Sequence, residues 1–438
     1  MFRAGAAKVD ITPGVGCWLE GIPRAQPSDA IHDPLHARAL VVEPADGNSL
    51  CLVSCDLIAL GREYTDQVRQ RIAQALGTAP DHVVVACTHN HSGPATLGLF
   101  HDPEHVDRDY LDQLASKLVQ VCRSAAEQVQ PALLGVGRGE ETTVSEYRRL
   151  LARDGRIVMN WEEFPQQEIV GPAEQGDPEM GVVKIVARGD LPGPQTIAIV
   201  FNYACHPNSM PGDNFTITAD FPGYAADLVE KRLGGIALFT NAAQGSVDIE
   251  GFEGRDFQGV ARRGQALAEA VTKICGGIEA GPDPVIRAAR QVFRLPTRSV
   301  DPHSLAWAQE ITRKMTGETV TLRDGISDEI MALNILQHAS APEPGINFEM
   351  LGIRLGRSVF VTIPGELFTE IGRKMKALSP SLQLHVIGLA NGYHGYIPTA
   401  RASLEGGYAT DVASGAYLAE NAEDLICQST QALLTSLH

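Results

Sequence analysis

Short runs of β-type apolar residues alternate along this chain with longer helical segments, and this alternation constrains the fold more than any other feature. The apolar runs fall at residues 37–43, 50–54, 82–86, 132–136, 181–186, 196–202, 236–240 and 358–363. Helical patterning falls at residues 62–76, 108–129, 222–233, 257–274, 303–315, 367–378 and 412–436. The segment Ala219-Asp220-Phe221-Pro222-Gly223 reads as a helix start, with an early proline and an acidic residue just before it. The pattern predicts an α/β protein in which a mixed β-sheet is flanked by helices and the chemistry sits in strand-end loops. Two stretches, residues 160–180 and 337–347, read as irregular loops, and neither is biased enough to be a linker. With no internal repeat, the expectation is a single domain over residues 1–438. A candidate subdomain division lies near residue 285, where the β-like stretch 285–297 begins.

Composition narrows the partners. The chain has 438 residues, 44% apolar and 20% charged, which suits a large ordered core. A formal net charge of -17 argues against nucleic acid and anionic membrane surfaces. No stretch approaches the length of a membrane span, so no stable membrane insertion is expected. The start, MFRAGAAKVDITP, has no apolar signal-like segment. The eight cysteines are scattered, the closest being Cys51 and Cys55, and read as reduced core thiols. Together these features give a cytoplasmic expectation. A homo-oligomer is compatible with the sequence, which fixes no oligomeric state.

Four segments carry residues capable of chemistry. The strongest is Thr88-His89-Asn90-His91-Ser92-Gly93-Pro94, directly after an apolar run. In an extended chain His89 and His91 would project to one face at the sheet's edge, and neutral imidazole is a common zinc ligand. Two surface histidines at a strand end would look the same. Asn202-Tyr203-Ala204-Cys205-His206-Pro207 also ends an apolar run, where a lone histidine is more often a hydrogen-bonded core residue. Thr362-Ile363-Pro364-Gly365-Glu366 ends a third, and Glu366 equally suits a helix-start carboxylate. The fourth segment, Asn391-Gly392-Tyr393-His394-Gly395-Tyr396-Ile397, offers tyrosines that could be packing residues with one wet end. Two histidines and a carboxylate drawn from separate strand-end loops make a common catalytic zinc set.

These segments, taken in order with Gly5-Ala6-Ala7-Lys8-Val9-Asp10-Ile11-Thr12-Pro13, Asp33-Pro34-Leu35-His36-Ala37-Arg38-Ala39 and Ala219-Asp220-Phe221-Pro222-Gly223-Tyr224, resemble the catalytic domain of the neutral/alkaline non-lysosomal ceramidases. The resemblance runs through most of the sequence. It implies a zinc ion held by His89, His206, Glu366 and Tyr396, with Tyr396 taken over Tyr393. It implies His91 as proton shuttle, Tyr408 as a further active-site tyrosine and Arg148 as the active-site arginine. Where the family carries a serine in a GDVSPN segment, this chain reads Gly245-Ser246-Val247-Asp248-Ile249-Glu250, so Asp248 takes that place and Ser246 is shifted. Asp248 then orients water or holds the loop. Family members continue into an immunoglobulin-type domain, and the expectation here is the catalytic domain alone.

The implied function is zinc-dependent hydrolysis of an amide bond in a small or N-acylated substrate by metal-activated water. An esterase or lactonase using the same zinc site is the first alternative. A non-catalytic ligand-binding protein on a degenerate hydrolase scaffold is the second.

Overall fold

The computed structural model describes residues 2–99, 103–189, 195–249, 254–282, 284–315, 327–340 and 344–438. Its larger sheet has eight strands. In spatial order these are Ile236–Asn241, Thr196–Tyr203, Glu179–Ala187, Gln130–Glu140, Arg3–Asp10, His36–Glu43, Leu50–Cys55 and Val83–Cys87. Most neighbours are antiparallel, and the two outermost pairs are parallel. A second sheet of four strands runs Ile286–Leu295, Ile346–Leu355, Ser358–Thr362 and Gln383–Ile387.

Side-chain alternation explains how the two sheets stack. Leu40, Val42, Leu52, Val84 and Ala86 point to one face of the larger sheet and pack with Leu351, Ile353, Phe360 and Ile387 of the smaller. Their neighbours Val41, Val53, Val83 and Val85 point to the other face. There they meet the helices Arg62–Leu76 and Arg108–Glu127. The other half of that face carries Asp220–Leu233 and Phe257–Gly276. The far face of the smaller sheet carries Thr369–Ala377 and Ala422–Leu437. The result is four layers, helices outside and two sheets within. Strands buried on both faces read as continuous apolar runs, which is why the sequence exposes them.

The α/β architecture with flanking helices is as expected, but several local expectations need correction. The strand Arg3–Asp10 was not visible, because RAGAAKVD is rich in small residues of weak β preference. Small residues are required there: a Cβ on Gly5 would lie 2.2 Å from the Ala125 carbonyl oxygen of the helix packed above it. Ile346–Leu355 and Gln383–Ile387 are further unpredicted strands. The helices Asp328–Ala339 and Ala400–Glu405 were also unpredicted. The expected loop 337–347 is helix up to Ala339 and strand from Ile346, and residues 341–343 lie outside the described residues. The expected loop 160–180 contains the short strand Ile169–Pro172. The terminal helix starts only at Ala422, and the helix expected from residue 367 starts at Thr369. Glu366–Leu367 instead forms a two-residue strand paired in parallel with Tyr396–Ile397.

Candidate metal centre

Three loops deliver the site. The first leaves the strand Val83–Cys87, turns and carries His89 at φ 72. His89 and His91 therefore do not share a face by strand alternation, as the extended reading required. The turn brings them together instead, with ring centroids 4.8 Å apart and nearly perpendicular planes. A histidine in the left-handed region is unfavourable and persists only where the surroundings fix it. Here the Leu57 carbonyl accepts from the His89 backbone N–H at 3.0 Å, and the Ile58 carbonyl accepts from Nδ1 at 3.1 Å. That second bond places the imidazole lone pair on Nε2.

The second loop follows the strand Thr196–Tyr203 and carries His206. The two histidine loops are tied by one side chain that sequence reasoning missed. Asn241 ends the strand Ile236–Asn241, and its Nδ2 donates to the carbonyls of Thr88 (3.0 Å) and Cys205 (2.8 Å). Its Oδ1 accepts from the Cys205 N–H at 3.2 Å. The third loop carries Glu366, whose backbone lies so close to Gly245 that a Cβ there would sit 2.4 Å from the Glu366 carbonyl oxygen.

The three side chains converge out of water, each 2% exposed. His89 Nε2 is 3.1 Å from His206 Nε2 and 3.2 Å from Glu366 Oε2. The distance from His206 Nε2 to Glu366 Oε2 is 3.9 Å. Ligand atoms around a tetrahedral zinc, each about 2.0–2.1 Å from the ion, are about 3.3 Å apart. The set fits a metal by that measure. Chemistry agrees, because two imidazole nitrogens and a carboxylate oxygen are a donor set that zinc takes. Burial, then the neighbouring His89, pushes the His206 imidazole well below its ordinary pKa. Burial acts to raise the Glu366 carboxyl, but His89, Arg148 and Tyr393 outweigh it and hold it below its usual range. A neutral imidazole and an ionised carboxylate are the forms that ligate. His89, His91 and His206 also form a cluster whose ligand atoms lie within 4.8 Å of one another. The two-histidine-plus-Glu366 set is the tighter of the two.

His91 sits beside this set, 5.1 Å from His206 between ring centroids. Both of its ring nitrogens are buried without a hydrogen-bond partner among the described residues. Burial, reinforced by His89 and nearby arginines, lowers its pKa well below normal. Tyr396 is the register partner of Glu366 across the short parallel pairing. Its hydroxyl lies 3.3 Å from that of Tyr408, whose pKa burial pushes up to about 12. Tyr393 is the tyrosine bonded to the carboxylate, donating to Glu366 Oε1 at 2.8 Å. Tyr393→Phe should leave the fold intact and weaken metal affinity about 10- to 100-fold, the usual cost of losing an outer hydrogen bond to a ligand. Metal titration with a chelator competitor measures this.

Arg148 lies under three rings, with its guanidinium carbon 5.2 Å from the centroids of Trp161, Tyr396 and Tyr408. It donates to the Gly245 carbonyl at 2.7 Å. Trp161 gave no sequence signal, since it lies in a loop with no pattern around it. Asp248 is buried 4.0 Å from Arg148 and 3.7 Å from Arg255, and accepts from Asn208 at 3.3 Å. Burial raises its pKa against the pull of both arginines. Ser246 is occupied elsewhere, donating to Glu370 at 2.8 Å and accepting from the Thr369 N–H at 2.9 Å.

Residues 2–247 match the family described as neutral/alkaline non-lysosomal ceramidase, N-terminal. The chain is similar to neutral ceramidase A of Dictyostelium discoideum, 28% identical over 272 residues, which cover 56% of this chain and 35% of that protein. It is equally similar to the neutral ceramidase of Pseudomonas aeruginosa, 28% identical over 262 residues, covering 56% of this chain and 37% of that one. The matched stretch thus spans about a third of these curated relatives. The crystal structure of the P. aeruginosa neutral ceramidase superposes on the whole chain with a TM-score of 0.74 at 20% identity, covering 74% of that structure. A structure described as ceramidase complexed with C2 superposes with a TM-score of 0.72 at 18% identity. These superpositions extend the shared fold through Glu366, Tyr396 and Tyr408.

Proposed function

Because the chain belongs to the neutral/alkaline non-lysosomal ceramidase family, we propose that it is a zinc-dependent hydrolase that cleaves the amide bond of a small or N-acylated substrate. The observation that carries this reading is the convergence of His89 Nε2, His206 Nε2 and Glu366 Oε2 at 3.1, 3.2 and 3.9 Å in a buried site. His89, His206 and Glu366 would hold the metal, with Tyr396 beside Glu366 as a fourth ligand. When bound, zinc lowers the pKa of water from about 15.7 towards neutrality and polarises a carbonyl oxygen.

The chain's own residues do the rest. His91 takes the proton of the attacking water and returns it to the leaving amine, and its two unpartnered nitrogens leave it free for both tasks. Arg148 and Tyr408 donate hydrogen bonds to the carbonyl oxygen as it gains negative charge. Packing of Arg148 under three rings and its bond to Gly245 fix the cation in advance, so little reorganisation is needed. Asp248 steadies Arg148 from the side.

The relatives' name directs the substrate panel: ceramide is tested beside short N-acyl amides and their ester counterparts. Stoichiometric zinc by elemental analysis and turnover of at least one amide are expected. A protein that takes up no zinc and turns over nothing on the panel would not be this hydrolase. His91→Ala is expected to lower kcat/KM on the amide by about 10²- to 10⁴-fold. The matched ester should lose far less, because an alkoxide leaves without prior protonation. Equal losses on both would remove His91 from the proton-delivery role.

A further inference from the structure

The segment 18–24 packs against His91, touching its ring at Gly21 and its carbonyl through Arg24. Leu19 forms a bridge with Pro94, the Glu20 N–H donates to the Gly93 carbonyl at 3.1 Å, and the Ala95 N–H donates to the Trp18 carbonyl at 2.7 Å. Two opposite charges are buried in this segment, both 0% exposed, and neither meets an opposite charge among the described residues. The Glu20 carboxylate accepts from the backbone N–H groups of Thr96 (2.6 Å), Leu97 (3.1 Å) and Leu99 (2.6 Å) and from the Thr96 hydroxyl (3.0 Å). Among the described residues Arg24 donates only to carbonyl oxygens: Asn214 at 2.8 Å, Ile22 at 3.3 Å and His91 at 2.9 Å.

Between the two charges stands Gly21 at φ 99. A Cβ at Gly21 would lie 2.6 Å from His91 Cγ and 2.7 Å from its Nδ1, so the bare backbone forms a wall against the imidazole. The His91 main chain is held at both ends, its N–H on the Pro207 carbonyl at 3.1 Å and its carbonyl on Arg24. The ring is thus placed through the backbone and by contact, and both of its nitrogens stay unengaged.

Burying a charge without an opposite charge is expensive, and apolar packing would hold a loop more cheaply. We propose that Arg24 and Glu20 are positioning residues that set the His91 imidazole for proton delivery, so that they govern amide cleavage more than ester cleavage. The proposal rests on the hydrolase reading above. Glu20 fixes the stretch after the histidine motif, Arg24 fixes the His91 carbonyl, and Gly21 lets the segment approach the ring.

The test uses Arg24→Met, which keeps the side-chain stem and removes the cation. It is measured with a matched amide and ester, together with zinc content and thermal melting. Full zinc, a cooperative melt and a fall in amide kcat/KM at least tenfold greater than the fall on the ester are expected. Equal losses on the two substrates, or no loss at all, would overturn the positioning role. Should Arg24→Met not fold, Gly21→Ala presses directly on the ring, and the same amide-to-ester ratio is read. A crystal structure of whichever variant folds provides a readout independent of turnover. A displaced or rotated His91 ring supports the proposal, and a ring unmoved from its wild-type position rejects it. If the wild-type protein hydrolyses neither substrate, the hydrolase reading fails, and the ring position still judges the positioning device.

Discussion

His206→Ala is expected to abolish bound zinc and turnover together while the protein stays folded. The imidazole supplies one corner of a triangle whose other distance, from His89 Nε2 to Glu366 Oε2, is 3.2 Å. The remaining His89, Glu366 and Tyr396 fall short of the two-histidine-plus-carboxylate set of a catalytic zinc, because burial holds the Tyr396 phenol well above its ordinary pKa and disfavours the ligating form. The loss should far exceed the roughly 100-fold that follows removal of an outer hydrogen bond. Folding should survive, because the loop is held through main-chain atoms: Asn241 engages both the N–H and the carbonyl of Cys205. Removing the ring also relieves the apposition of two imidazole nitrogens at 3.1 Å in the metal-free protein. Elemental analysis, activity on the responsive amide and a melting curve check the three parts. Retention of stoichiometric zinc with turnover would sink the ligand assignment.

Arg148→Met should separate catalysis from metal binding. Zinc content should stay stoichiometric, because His89, His206 and Glu366 remain in place even though Arg148 packs on the Tyr396 ring. The turnover number should fall by about 10²- to 10³-fold, the usual effect of losing one charge-stabilising donor. The KM should change much less. Stability should also fall, because breaking a buried ion pair costs roughly 3–5 kcal/mol. Arg255, 3.7 Å from Asp248, keeps the cost towards the lower end. The double variant Arg148→Met/Asp248→Asn also removes the carboxylate, which Arg255 alone faces in the single variant, so it should not regain turnover whatever its melting temperature. Recovery of both would make Arg148 a structural residue only.

The contrast between Tyr393 and Tyr396 shows how far the sequence could be read at the site. Both tyrosines lie in one loop, three positions apart, and composition does not separate them. Resemblance favoured Tyr396. The fold adds that Tyr396 pairs with Glu366 in register while Tyr393 bonds the carboxylate, so the two do different work on one side chain. His89 and His91 were legible as a pair, but the reason given for their closeness was wrong. Strand alternation is a property of extended backbone, and His89 at φ 72 has left it. Asn241, Arg24 and Glu20 left no signal, because a buried polar residue acts through partners distant in sequence. Asn241, for instance, reaches back 153 positions to Thr88.

The sequence by itself determined the α/β class, most strands of the two stacked sheets and most helices, and the three loops that end in His89, His206 and Glu366. Those features are local: they follow from apolar periodicity, from proline and glycine at element ends, and from residue chemistry read in place. Only the tertiary structure decided that two sheets stack face to face, that one asparagine fastens both histidine loops, and that Arg148 lies under three aromatic rings. It also decided that a buried carboxylate holds the stretch after His91 and a buried guanidinium holds the His91 carbonyl. The reason is physical. A single buried hydrogen bond or charge is worth little or is costly until its partner is fixed beside it, and that partner is chosen by packing rather than by position along the chain.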